Sequence, residues 1–140
     1  MKLGYVLIYV ADVKDTMAFY EAAFGLEQKM QYEDNGSVDY GELHTGGGSV
    51  LGFANHSLGK MNLQGKYQSV SAEGQPFGIE LAFVCDDVAA DYERAVAAGA
   101  VSVALPAEKP WGQMVAYVRA KEGTLIELCS PMGGSTAEAV

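Results

Sequence analysis

The chain is poor in basic residues, in histidine and in cysteine. Its 140 residues hold nine lysines and arginines against 18 aspartates and glutamates, a formal net charge of −9. So few cations argue against neutralising a phosphate backbone or an anionic bilayer surface, so neither nucleic acid nor membrane is an expected partner. Only His44 and His56 are available to an imidazole-built metal centre. The two cysteines, Cys85 and Cys129, have no CxxC spacing and lie inside apolar runs. That predicts buried free thiols and a cytoplasmic setting. No apolar run approaches the length of a bilayer span. The first, Leu3 to Ala11, meets Asp12 at once, so neither a secretion signal nor a membrane anchor is expected.

What is present is an internal repeat. The stretch Gly123 to Pro131, G-T-L-I-E-L-C-S-P, opens on glycine, closes on proline and is apolar between, the pattern of a strand. It matches Gly48 to His56 at an offset of 75 residues, with Gly52 standing where Glu127 stands. Asp12-Val13 and Asp87-Val88 repeat at the same offset. Each pair opens a stretch with apolar residues at three- and four-residue spacing, which predicts helices capped by the aspartates and stopped at Gly25 and Gly99. Strands are predicted at Tyr5–Val10, Leu26–Tyr32, Val38–Thr45 and Ser49–Ala54. In the second half they are predicted at Ile79–Cys85, Val101–Ala104, Met114–Arg119 and through the final apolar run. Pro106 to Gly112 reads as a turn, as do Asp34 to Ser37 and Gly46 to Gly48. The three glycines lack the lysine and following helix of a phosphate loop.

The fold class is therefore α+β: two βαβββ modules forming a curved mixed sheet with helices on its outer face. Residues 1–56 form the first module, 57–76 a connector, 77–131 the second module and 132–140 a flexible tail. The connector is polar and weakly periodic; at that length, part of it is expected to pack or to form a rim.

Strand alternation separates two faces. Val6, Ile8, Val10, Leu51, Phe53, Leu81, Phe83, Ile126 and Leu128 form an apolar row that should cover the helices. The opposite row carries Tyr5, Tyr9, Gly52, Glu80, Glu127 and Cys129, joined by Tyr40, Glu42, His44, Tyr117 and Arg119. Aromatic rings interleaved with acids suit a ligand surface better than a core. Cys129 shares that parity, but no histidine can be placed beside it, so an inert thiol is expected.

Four stretches together resemble the vicinal oxygen chelate superfamily, the group of glyoxalase I, bleomycin-resistance proteins and extradiol dioxygenases. They are Y-V-A-D-V-K-D-T-M-A-F-Y-E-A-A-F-G-L-E (9–27), F-V-C-D-D-V-A-A-D-Y-E-R-A-V-A-A-G-A (83–100), K-P-W-G-Q-M-V-A-Y-V-R (109–119) and 123–131. The resemblance implies the paired-module fold and homodimers. It also implies, in metal-using members, ligands at the positions held here by Tyr5, Gly52, Glu80 and Glu127. None of these is histidine, and Gly52 has no side chain to offer, so no cofactor is expected; a divalent metal is the alternative.

Two functions follow. One is binding of a small amphipathic, cationic organic molecule in an aromatic and acidic cleft, with Tyr5, Tyr9, Glu42, Gly52, Glu80, Trp111, Tyr117, Arg119 and Glu127 as ligand-binding residues. The other is a glyoxalase I-like lyase or isomerase, with Glu127 as metal ligand or base and Glu80 as its partner.

Overall fold

The computed structural model describes residues 1–133. The chain divides into two compact units, Met1–Val70 and one beginning at Ser71. The division falls inside the expected connector. Most of the expected tail, residues 134–140, lies outside the described residues.

In the first unit, β1 (Tyr5–Val10), α1 (Val13–Phe24), β2 (Glu27–Asp34), β3 (Ser37–His44) and β4 (Val50–Asn55) follow the predicted order. The sheet order is β1-β4-β3-β2, with β1 and β4 parallel and the other pairs antiparallel. Asp12 caps α1 through a carboxylate that accepts from the Asp15 amide at 3.0 Å. Gly25 ends it in the left-handed region at φ 70, with its N–H on the Glu21 carbonyl. Asn35 and Gly36 both take positive φ, as the tight β2–β3 hairpin requires.

The helix buries Val13, Met17 and Tyr20 against the sheet. The Tyr20 ring lies 4.9 Å from Phe53, and both residues are fully buried. Close approach is possible because Gly41 has no side chain: a Cβ there would sit 2.1 Å from the Met17 sulfur.

The second unit repeats this plan with β5 (Glu80–Val84), α3 (Val88–Ala97), β6 (Val101–Glu108), β7 (Met114–Arg119) and β8 (Leu125–Cys129). Its sheet order is β5-β8-β7-β6. Asp87 caps α3 as Asp12 caps α1, accepting from Ala90 at 3.1 Å. Strand registers coincide at the 75-residue offset: Tyr5 faces Val50 and Glu80 faces Leu125, while Glu42 faces Gly52 and Tyr117 faces Glu127. The repeat thus extends from residue pattern to individual strand pairs. Ile126, Leu128 and Val118 are buried in one unit, Val10, Leu51 and Phe53 in the other.

Two elements differ from expectation. A further helix, α2 (His56–Leu63), occupies the start of the expected connector, capped by Asn55, whose side chain accepts from the Leu58 amide. Strand β6 runs four residues past Ala104 and carries Pro106. It can do so because β6 is a sheet edge and its register shifts between Ala104 and Ala107, where a missing N–H costs no regular ladder bond.

The later part of the expected connector belongs to the second unit. Arg119 donates from Nε to the Gly123 carbonyl, from Nη2 to Ser71 at 2.6 Å and from Nη1 to Gly74. Gly123, at φ +114, lets this segment approach so closely that a Cβ would lie 2.0 Å from the Ser71 carbonyl oxygen.

Candidate functional site

Each sheet turns one face away from its helix, and on that face each carries a carboxylate held by a tyrosine. In the second unit, Glu127 projects from β8, and Tyr117, directly across on β7, donates its hydroxyl to Glu127 Oε1 at 2.8 Å. Glu80, on β5, is paired in register with Leu125, and Glu127 lies near enough to act on it electrostatically. Partial desolvation, then the neighbouring charge, raise the Glu80 pKa above the ordinary glutamate range. Glu127 thus disfavours the ionised form of Glu80.

The surrounding groups respond to Glu127. Its hydrogen bond, helped by burial, pushes the Tyr117 phenol up to about 12. Burial, then Glu127, pushes the Cys129 thiol up to about 11. Burial, then Asp91, pushes Cys85 up to about 12. Both cysteines are buried and free, and neither is poised as a thiolate.

In the first unit the carboxylate has moved one strand across. Gly52 occupies the position equivalent to Glu127, and the acid opposite it is Glu42 on β3. Glu42 is only 9% exposed, a burial that demands partners. It accepts from the Tyr40 hydroxyl at 2.7 Å and pairs with Lys29 at 3.3 Å. Burial and then Glu42 drive the Tyr40 phenol well above its usual range. The space that a residue at 52 would fill is bordered by the Tyr40 hydroxyl and Leu7, at 3.1 and 3.4 Å from a hypothetical Cβ.

Not all expected ligand residues are free to serve. Tyr5 is 60% exposed on β1. Tyr9 packs its ring 5.0 Å from Tyr67 and accepts from Asn62. Trp111, 58% exposed, lies between β6 and β7 and donates to Gln113. Arg119 spends its guanidinium on the three carbonyls named above, so its role in the structure is to bind the 71–74 segment. Tyr40 and Lys29 hold Glu42 but were not among the expected site residues. The spacing of Tyr40 two residues before Glu42 on one strand was the available signal; nothing local marked Lys29.

Among the described residues, no group of three or more His, Cys, Asp or Glu side chains is arranged to hold a metal ion. No helix among them is long and apolar enough to cross a membrane.

A sequence profile of the Glyoxalase/Bleomycin resistance protein/Dioxygenase superfamily matches residues 2–128. Among solved structures, the chain is similar to a glyoxalase/bleomycin resistance protein/dioxygenase family enzyme from Burkholderia phytofirmans PsJN. The two share 25% identity and a TM-score of 0.76, over 93% of this chain and 98% of that one. TioX from Micromonospora sp. ML1 is also 25% identical, with a TM-score of 0.69 over 93% and 98% of the two chains. A glyoxalase-related enzyme from Fulvimarina pelagi shares the fold at 20% identity, with a TM-score of 0.77 over 97% and 95%. No curated protein matches the chain.

Proposed function

Since the chain belongs to the glyoxalase/bleomycin resistance protein/dioxygenase superfamily, we propose that it is a small-molecule binding protein of the bleomycin-resistance type. Its ligand is an amphipathic organic cation, and no resident metal takes part. The observation that carries this reading is the phenol-held carboxylate on the face of the second sheet away from α3, Glu127 with Tyr117. A tyrosine that donates to a carboxylate orients it while leaving its charge to attract a cation, and exposed Tyr5 and Trp111 offer flat apolar area.

The donor set does not suit a divalent transition ion. Of the four positions that metal-using relatives would employ, Gly52 offers no side chain and Tyr5 a neutral phenol. Glu80 and Glu127 leave two carboxylates and no imidazole, a weak set for such an ion. The two free thiols support a reducing compartment such as the cytoplasm. Homodimerisation, implied by the family resemblance, is part of the same proposal and would be read by sedimentation.

The test is titration with a panel of aromatic and aliphatic quaternary ammonium compounds, followed by Trp111 fluorescence. Saturable quenching is expected; no response across the panel would remove the reading. A second reading, a lyase or isomerase of the glyoxalase I type, draws on the Glu80–Glu127 pair. A carboxylate whose proton affinity is raised by a neighbouring acid could move a proton between neighbouring atoms of a hemithioacetal. Turnover of a hemithioacetal, with or without added nickel or zinc, would favour it; its absence in both conditions would dismiss it.

A further inference from the structure

Helix α2 and the turn after it border an open surface pocket of about 310 Å³, lined by His56, Lys60, Gln64, Gly65, Tyr67 and Ser69. His56, Lys60 and Gln64 recur every four residues, so they share one side of the helix. Gln64 and Gly65 both take positive φ, at 53 and 79, and turn the chain back across the helix. Tyr67 then lies over Gly59, where a Cβ would meet its hydroxyl at 2.3 Å. That hydroxyl is 2.8 Å from His56 Nδ1, the two rings are stacked at 6.0 Å, and Tyr9 supports Tyr67 from the sheet. The wall is thus built by packing, and His56 Nε2 is the ring atom left uncommitted by the Tyr67 bond.

The chemistry of the lining is one-sided. It holds a lysine ammonium, a primary amide, a hydroxyl, an imidazole and a glycine at a left-handed turn, but no aspartate or glutamate. The chain as a whole carries a net charge of −9, so this lining is opposite in sign to the total. Among the described residues, no carboxylate forms an ion pair with Lys60.

We propose that this pocket binds the oxyanion group, carboxylate or phosphoryl, of a small organic molecule. Lys60 supplies the charge, while His56, Gln64 and Ser69 supply hydrogen bonds. This site is separate from the sheet-face carboxylates and does not depend on what they bind.

The test is an amide and imidazole NMR titration of the full chain with inorganic phosphate and, separately, acetate, each against chloride at matched ionic strength. Saturable shifts at Gly65, Ser69 and the His56 ring are expected with at least one anion. Saturation by phosphate alone assigns a phosphoryl group; saturation by acetate alone assigns a carboxylate; saturation by both assigns oxyanions in general. Lys60→Met, a change at an exposed side chain, should weaken the affinity about tenfold or more, the effect of losing one charged hydrogen bond. No saturable shift with either anion, or shifts that Lys60→Met leaves unaltered, would overturn the proposal.

Discussion

Replacing Glu80 by glutamine should stabilise the protein at neutral pH and do nothing in acid. The Glu80 pKa is raised in the folded state by desolvation and by the neighbouring Glu127 carboxylate. Below the unfolded glutamate range, both folded and unfolded chains hold the Glu80 proton and nothing is lost. As pH rises through the raised value, the unfolded chain has already released its proton, so folding loses free energy. Two unit charges about 4 Å apart repel by about 1 kcal/mol in bulk water and about 4 kcal/mol at an effective dielectric of 20. Glu80 is exposed, so the lower figure applies. Glutamine removes the charge. The expected gain is therefore about 1 kcal/mol at pH 7.5, about 3–4 °C in Tm for a chain of this length, and near zero at pH 4. Thermal melts at both pH values, repeated in 1 M salt where the gain should shrink, make the comparison. Destabilisation by Glu80→Gln at pH 7.5, or an equal gain at pH 4, would refute the repulsion between Glu80 and Glu127.

Four further outcomes follow from the geometry. Gly123→Ala places a Cβ 2.0 Å from the Ser71 carbonyl at a left-handed φ, and should cost about 3 kcal/mol or more in a urea melt. Gly36→Ala, where a Cβ meets nothing, retains only the φ cost of about 1 kcal/mol. Tyr40→Phe removes one of Glu42's two partners and should cost about 1–3 kcal/mol at neutral pH. Cys85 and Cys129, buried and with raised pKa values, should resist a thiol reagent at pH 8 and react fully in denaturant. Rapid labelling of the folded chain would contradict their placement.

Much of the fold was legible in the residues because local chemistry and tertiary contacts agree. Asp12 and Gly25 bound α1 as capping rules require, and the strand parity that grouped Tyr5, Glu42, Glu80 and Glu127 on one side holds in both sheets. What escaped depended on contacts distant in sequence. Helix α2 has weak periodicity and an internal glycine; Gly59 is there to admit Tyr67, a partner that no local pattern reveals. Pro106 reads as a break, yet an edge strand at a bulge accommodates it. Arg119 stands on the expected side of its strand, but two of its three carbonyl partners lie more than 40 residues away in sequence. Tyr9 likewise meets Tyr67 rather than open space.

The most direct measurement is calorimetric titration of a hydrophobic quaternary ammonium ligand into the wild-type chain and into Glu127→Gln and Glu42→Gln. Loss of a charge-assisted contact is worth about 1.5–3 kcal/mol, so at least one variant should bind about tenfold or more weakly. Saturable binding by the wild type that falls in this way agrees with the carboxylate faces as the ligand surface. Binding that is indifferent to both substitutions, or none at all in the wild type, contradicts it.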